Sequence, residues 1–233
     1  MSRFVRFELR TTDVPAAGAF YASVLGQPVV SIRSLSEQAR TRGAPAHWLG
    51  FIGVGEVEQS IEAFARRAAT QISAAGQTGE GAAAAILRDP GGAFVGLTGE
   101  APPAHVSWPE VAWHDLYTTN VEQAVNAYCG AFGWRLLSQH NLGKQGVHQE
   151  FCWDGPSASA GSIVDVATLP GVRPHWLFYF RVPALAPALA SVVAGGGAVI
   201  AEPKLPNGRG SAICEDPQGG AFALCEDSRV GAG

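Results

Sequence analysis

Three stretches of this chain carry chemically capable side chains at strand spacing. In "WHDLY" an extended backbone sends alternate residues to opposite faces, so Trp113, Asp115 and Tyr117 share one face. An aromatic wall, a carboxylate and a phenol suit the binding of a small, partly aromatic molecule. Aromatic walls disfavour the charged form of a carboxylate, which makes Asp115 the general-base candidate. In "HWLFYFRV" His175 lies on the same face as Leu177 and Tyr179. It is the second catalytic candidate, with Tyr117 and Tyr179 as hydrogen-bonding partners. In "VHQEFCWDG" the residues His148, Glu150, Cys152 and Asp154 alternate on one face. His148 and Glu150 are candidate ligand-binding residues there, although a half-exposed strand with a polar outer face has the same pattern.

These residues must be held by elements, and the elements repeat. "FELRTTDVPAAGAFYASVLG" (Phe7–Gly26) matches "HDLYTTNVEQAVNAYCGAFG" (His114–Gly133) without gaps. "AHWLGFIGV" matches "PHWLFYFRV", and "ILRDPGGAFVGLTGE" matches "ICEDPQGGAFALCE". The chain therefore reads as two tandem copies, residues 1–100 and 110–227, joined by the Pro-rich "GEAPPAHVSWPE". Within each copy a strand, a helix and further strands recur. Asp13 and Asn120 stand where helix N-caps belong, and Gly26 and Gly133 where helix ends favour the left-handed conformation. A stripe of Val57, Ile61, Phe64, Ala68 and Ile72 predicts one helix, and Leu185, Leu189 and Val192 predict its counterpart. Asp-Pro-x-Gly is turn chemistry. Copy two has extra residues between its first helix and the His-Trp strand, including "VHQEFCWDG" and "AGSIVDV", which read as two strands that copy one lacks.

Composition narrows the partners. The 233 residues are 47% hydrophobic with a formal net charge of −4, and no basic run suggests a nucleic-acid partner. No apolar stretch approaches the roughly 20 residues of a membrane span. The first residues are not those of a secretory signal or transit peptide, so the expected location is cytoplasmic. The four cysteines, Cys129, Cys152, Cys214 and Cys225, form no C-x-x-C pair and read as buried free thiols, with a Cys214–Cys225 bridge across the closing hairpin as the alternative.

The repeated "TTDVPAAGAFYASVLG", "TTNVEQAVNAYCGAFGW", "RDPGGAFVGL" and "EDPQGGAFAL" resemble the vicinal oxygen chelate superfamily of glyoxalases, bleomycin-resistance proteins and extradiol dioxygenases. The likeness is strongest to its tandem-domain glyoxalase-like members. It implies an α+β fold of tandem βαβββ modules forming two open-barrel domains, the first truncated. It also implies a metal site built from His, Gln or Glu on the first strands and Glu on the last. Here those positions hold Arg6 and Trp113, Leu49 and Leu177, and Gly96 and Ala223, none a good ligand for a hard dication.

The expectation is thus a glyoxalase-like protein, needing no metal or other cofactor, that binds a small organic ligand in the second copy. Proton transfer or ring chemistry of a lyase or isomerase kind would run through Asp115 and His175. Trp113, Tyr117, Tyr179, His148 and Glu150 would contact the ligand. The alternatives are a non-catalytic sequestering protein and a metal-dependent lyase or dioxygenase. The expected assembly is a monomer closed by internal domain pairing, or a homodimer.

Overall fold

The computed structural model describes residues 2–29, 31–41, 43–73, 76–77, 82–102, 110–143, 146–153, 158–167, 171–205 and 208–226. Asp154 and most of the linker between the copies lie outside the described residues. Copy one runs β1 (Arg3–Thr11), α1 (Val14–Leu25), β2 (Ile32–Ser34), α2 (Glu37–Thr41), β3 (His47–Gly53), α3 (Val57–Ala65), β4 (Thr70–Gln71), β5 (Gly76–Gln77), β6 (Ala83–Arg88) and β7 (Phe94–Thr98). Copy two runs β8 (Val111–Thr118), α4 (Val121–Phe132), β9 (Arg135–Asn141), β10 (Val147–Cys152), β11 (Gly161–Asp165), β12 (His175–Val182), α5 (Leu185–Ala194), β13 (Ala198–Ala201), β14 (Ser211–Glu215) and β15 (Ala221–Glu226). The fold is α+β, with the strands in two sheets.

Side-chain caps start the two longest helices. Asp13 Oδ1 accepts from Ala16 N at 3.0 Å, and Asn120 Oδ1 accepts from Gln123 N at 3.0 Å, satisfying donors that a helix leaves unpaired in its first turn. Gly26 and Gly133 end them at φ 75° and 73°, where a Cβ would be strained. The stripe predicted to reach Ile72 stops earlier, because α3 ends at Ala65. Ala68 turns into the left-handed region at φ 67°, and Ile72 is left 53% exposed.

One pairing rule recurs four times: the first strand of each module lies parallel to its last. β3 pairs with β7, β8 with β11, and β12 with β15. In the truncated module β1 pairs in the same way with the three-residue β2. Among the described residues no strand lies between α1 and β2, where copy two has β9 and β10, and β2 pairs with β1 as β11 pairs with β8.

The described chain divides into two compact units, each built from parts of both copies. The first comprises Met1–Phe7, Leu49–Ala104 and His114–Trp176; the second comprises Glu8–Trp48, His105–Trp113 and Leu177–Gly233. In the first, α3 packs on α4, β6 and β7 form a hairpin, and β10 runs antiparallel to both β9 and β11, with β11 parallel to β8. Its core is aromatic: Trp134 stacks on Phe151 at 4.9 Å, and Tyr128 contacts Phe64, Trp134 and Trp176. In the second unit α1 packs on α5 over a sheet of β13, β14, β15 and β12, with Tyr21, Trp48, Phe222 and Phe180 in its core.

Each unit contains the same buried relay. In the first, Trp176 Nε1 donates to Tyr128 Oη at 2.9 Å, and Tyr128 donates to Asp89 Oδ2 at 3.0 Å. Asp89 Oδ1 accepts from Gly92 N at 2.7 Å and Ala93 N at 2.8 Å, closing the Asp-Pro turn. In the second, Trp48 donates to Tyr21 at 2.9 Å, Tyr21 donates to Asp216 at 2.9 Å, and Asp216 holds Gln218 N and Gly220 N. Burial raises the Asp89 carboxyl above its ordinary range, and burial followed by the nearby aspartate raises both tyrosines. The turn aspartate of one copy thus anchors a helix and a strand of the other. The cysteines are all free: Cys214 is in register with Phe222 and Cys225 with Ser211, so the two thiols are not opposed.

Candidate functional site

In the first unit, register assembles a row of polar residues across three strands. Asp115 on β8 pairs with Ser162 on β11, and Ser162 pairs with Glu150 on β10. Directly paired residues share a sheet face, so the carboxylate, the hydroxyl and the second carboxylate stand side by side. The next row is Tyr117, Val164 and His148, continued on β9 by His140. Asp115 and Ser162 are fully buried, and His148 is buried. Glu150 keeps a side-chain exposure of 12% and has His140 Nε2 at 3.6 Å from Oε2.

His175 joins this group through Tyr117. The two rings stack at 4.9 Å between centroids with 3° between planes, and His175 Nδ1 bonds to the Arg173 carbonyl at 2.7 Å. Burial holds the imidazole below its ordinary pKa, with the carbonyl bond opposing that shift, so His175 is neutral at pH 7. The structure therefore brings Asp115, Tyr117, His148, Glu150 and His175 into one unit. The sequence reading missed Ser162 and His140. A serine inside "AGSIVDV" has no spacing signal of its own; only the pairing of that strand with "WHDLY" and "VHQEF" gives it a place.

His114 occupies the other face of β8. Its ring stacks on Phe4 at 5.2 Å and meets Trp153 edge-on, while Nδ1 bonds to the Ala160 carbonyl at 2.8 Å. Burial drives its pKa down to about 4, against the smaller effect of that carbonyl bond, so it is a neutral core group.

Trp113 and Tyr179 fall in the second unit, buried to 3% and 1% exposure. Tyr179 is in register with Ala223. In the same unit Arg181 pairs with Glu110 at 3.0 Å, and buried Glu8 pairs with Arg33 at 3.1 Å and with Arg10. His47 bonds to Pro45 O at 3.0 Å, and its pKa is lowered mainly by burial.

The positions that would hold a divalent metal in a glyoxalase-type site do not fit one. In the first unit Gly96 is in register with Phe51, whose ring occupies the place a Cβ on Gly96 would take. The Arg6 guanidinium lies 3.8 Å above that ring and pairs with Glu100 at 3.3 Å, so a cation already covers the spot. In the second unit the corresponding pair is Tyr179 and Ala223, with Leu177 at the remaining ligand position. Among the described residues no group of three or more His, Cys, Asp or Glu side chains is arranged to hold a metal ion. No helix among them is long and apolar enough to cross a membrane.

Comparisons agree with this architecture. The chain is 28% identical over 240 aligned positions to "Putative glyoxylase CFP32" of Mycobacterium bovis, covering 91% of this chain and 90% of that protein. Its fold is similar to the crystal structure of the 2,3-dioxygenase LapB from Pseudomonas sp. KL28. That likeness has a TM-score of 0.66 at 14% identity, over 97% of this chain and 92% of that one. The Mn(II)-bound glyoxalase from Novosphingobium aromaticivorans matches with a TM-score of 0.64 at 11% identity, over 97% of this chain and 83% of its own. Residues 104–224 match the model of one family directly. With the parallel first-to-last strand pairing repeated four times, this places the chain in the Glyoxalase/Bleomycin resistance protein/Dioxygenase superfamily.

Proposed function

We propose that this chain binds a small polar organic molecule on the face of β8, β10 and β11 and moves a proton on it through Asp115, without a resident metal. The observation that carries the reading is the row itself: a fully buried carboxylate in register with a buried hydroxyl and, beyond it, a second carboxylate. A buried carboxylate beside a hydroxyl is placed to accept a proton from a donor brought to it. The neutral His175 imidazole on Tyr117 supplies a hydrogen bond and a flat surface rather than a charge. The residues at the metal positions of the superfamily support a metal-free site, since Leu177, Ala223 and the Phe51–Gly96 pair offer no ligand atom. The protein so read is cytoplasmic, acting as a monomer or a homodimer on a small-molecule partner.

A sequestering protein without turnover is the second reading, favoured by the complete burial of Asp115. Both are tested by native mass spectrometry and metal analysis of protein purified without chelator, wild type beside Asp115→Asn. The expected result is a bound organic mass in the wild type, lost or reduced in the variant, with metal far below one per chain. Retention of the mass by the variant, or one tightly held Fe, Zn, Ni or Mn per chain, would sink the proposal. Solvent-deuterium exchange into the released ligand separates the readings, because only the proton-transfer enzyme labels it.

A further inference from the structure

We infer that the Ser162 hydroxyl contacts the ligand, and that this ligand is a neutral or cationic hydrogen-bond donor, such as an alcohol, amine or amidine, rather than an anion. The inference rests on the reading of the β8–β10–β11 face as a ligand site.

Ser162 is fully buried, and its Oγ has no hydrogen-bond partner among the described residues. A buried hydroxyl left unpaired costs stability that alanine at the same place would not. Its neighbours in the row are carboxylates on both sides, Asp115 and Glu150. A group that bonds Ser162 therefore has acceptors on either hand, which welcome N–H and O–H donors and repel carboxylate or phosphate. Beside the row, the stacked pair Tyr117–His175 is only partly covered and presents an aromatic ring. Planar cations and aromatic alcohols suit such a surface.

Copy one differs at the equivalent positions. Glu8 stands where copy two has Asp115, and there the carboxylate is paired with Arg10 and Arg33. Leu9 is in register with Ile32 as Leu116 is with Ile163, so Arg33 corresponds to Val164. Arg10 corresponds to Tyr117 in the repeat. Copy two carries Tyr117 and Val164 at the positions of Arg10 and Arg33.

Three probes of one size separate the possibilities: benzamidine, benzyl alcohol and benzoate, each titrated by ligand-observed NMR into wild type, Ser162→Ala and Asp115→Asn. The wild type should bind benzamidine or benzyl alcohol, and benzoate at least tenfold more weakly. Ser162→Ala should weaken the donor probe about fivefold or more, with a melting temperature of the free protein no lower than wild type. Benzoate binding as tightly as the donors, no binding of either donor, or unchanged affinity in Ser162→Ala overturns the inference. So does a lowered melting temperature accompanying the loss, which would make the hydroxyl structural. If Asp115→Asn loses the donor probe and Ser162→Ala does not, this inference falls while the ligand site stands. If neither variant changes binding, both fall.

Discussion

The ring of Phe51 lies where any side chain on Gly96 would have to begin. The two residues are in register on parallel strands, and the Arg6 guanidinium covers the ring from 3.8 Å. Gly96→Ala should therefore overpack this spot and destabilise by about 1–3 kcal/mol, and Gly96→Glu by more. Combining Gly96→Ala with Phe51→Ala should cost less than the sum of the two single changes, because each makes room for the other. Urea denaturation of the four proteins measures this; strict additivity would show that the ring and the glycine are not coupled.

The relay through Tyr128 predicts a loss out of proportion to one oxygen atom. Tyr128→Phe leaves Asp89 Oδ2 without its tyrosine donor and Trp176 Nε1 without its acceptor, both in the interior. The cost should be about 1–3 kcal/mol, and Tyr21→Phe should cost a similar amount through Asp216 and Trp48. Differential denaturation of the two variants checks this. A neutral outcome at either site would mean that its Asp-Pro turn holds without the phenol.

His114 makes stability depend on pH below neutrality. Its folded pKa is about 4 against 6.5 for the free side chain, so the folded state favours the neutral ring. Its contribution is complete above pH 6.5 and is lost as pH falls toward 4, where unfolded chains take up a proton that the folded chain does not. The loss amounts to about 3.5 kcal/mol at most, at roughly 1.4 kcal/mol per pKa unit. Denaturation midpoints of wild type and His114→Phe from pH 7.5 to 4.5 should diverge in slope, the variant being flatter. Parallel curves would assign the acid sensitivity to other groups.

Gly161 precedes Ser162 and is in register with His114. A Cβ there would collide with the His114 carbonyl oxygen and approach the Phe151 ring at 2.9 Å. Gly161→Ala should force β11 away from β8, destabilise by about 1–3 kcal/mol or more, and displace the row of Asp115, Ser162 and Glu150. Loss of donor-probe binding together with stability is the expected result. Retained stability would show that the strand pair can yield.

Much of the fold could be read before any coordinates. Caps, turns and repeats are local signals, and Asp13, Asn120, Gly26, Gly133 and the Asp-Pro turns lie where the sequence puts them. The limits came where structure depends on what is far away in the chain. The stripe past Phe64 kept its period, but Ala68 breaks the helix and period alone does not see a left-handed residue. The turn aspartates looked purely local because their tyrosine partners lie in the other copy, 39 residues away for Asp89 and 195 for Asp216. Ser162 illustrates the same limit at the site: its importance comes from the two strands beside it, and register between strands is not written in either one alone.

The two relays also determine what a broken chain would be. A single cut between residues 100 and 110 would separate Asp89 from Tyr128 and Trp176, and Tyr21 and Trp48 from Asp216. The products would be complementary fragments rather than free-standing modules, each holding the turn that finishes its partner's half of a core. This mutual dependence gives the first copy a use as scaffold for the second, whatever it binds itself.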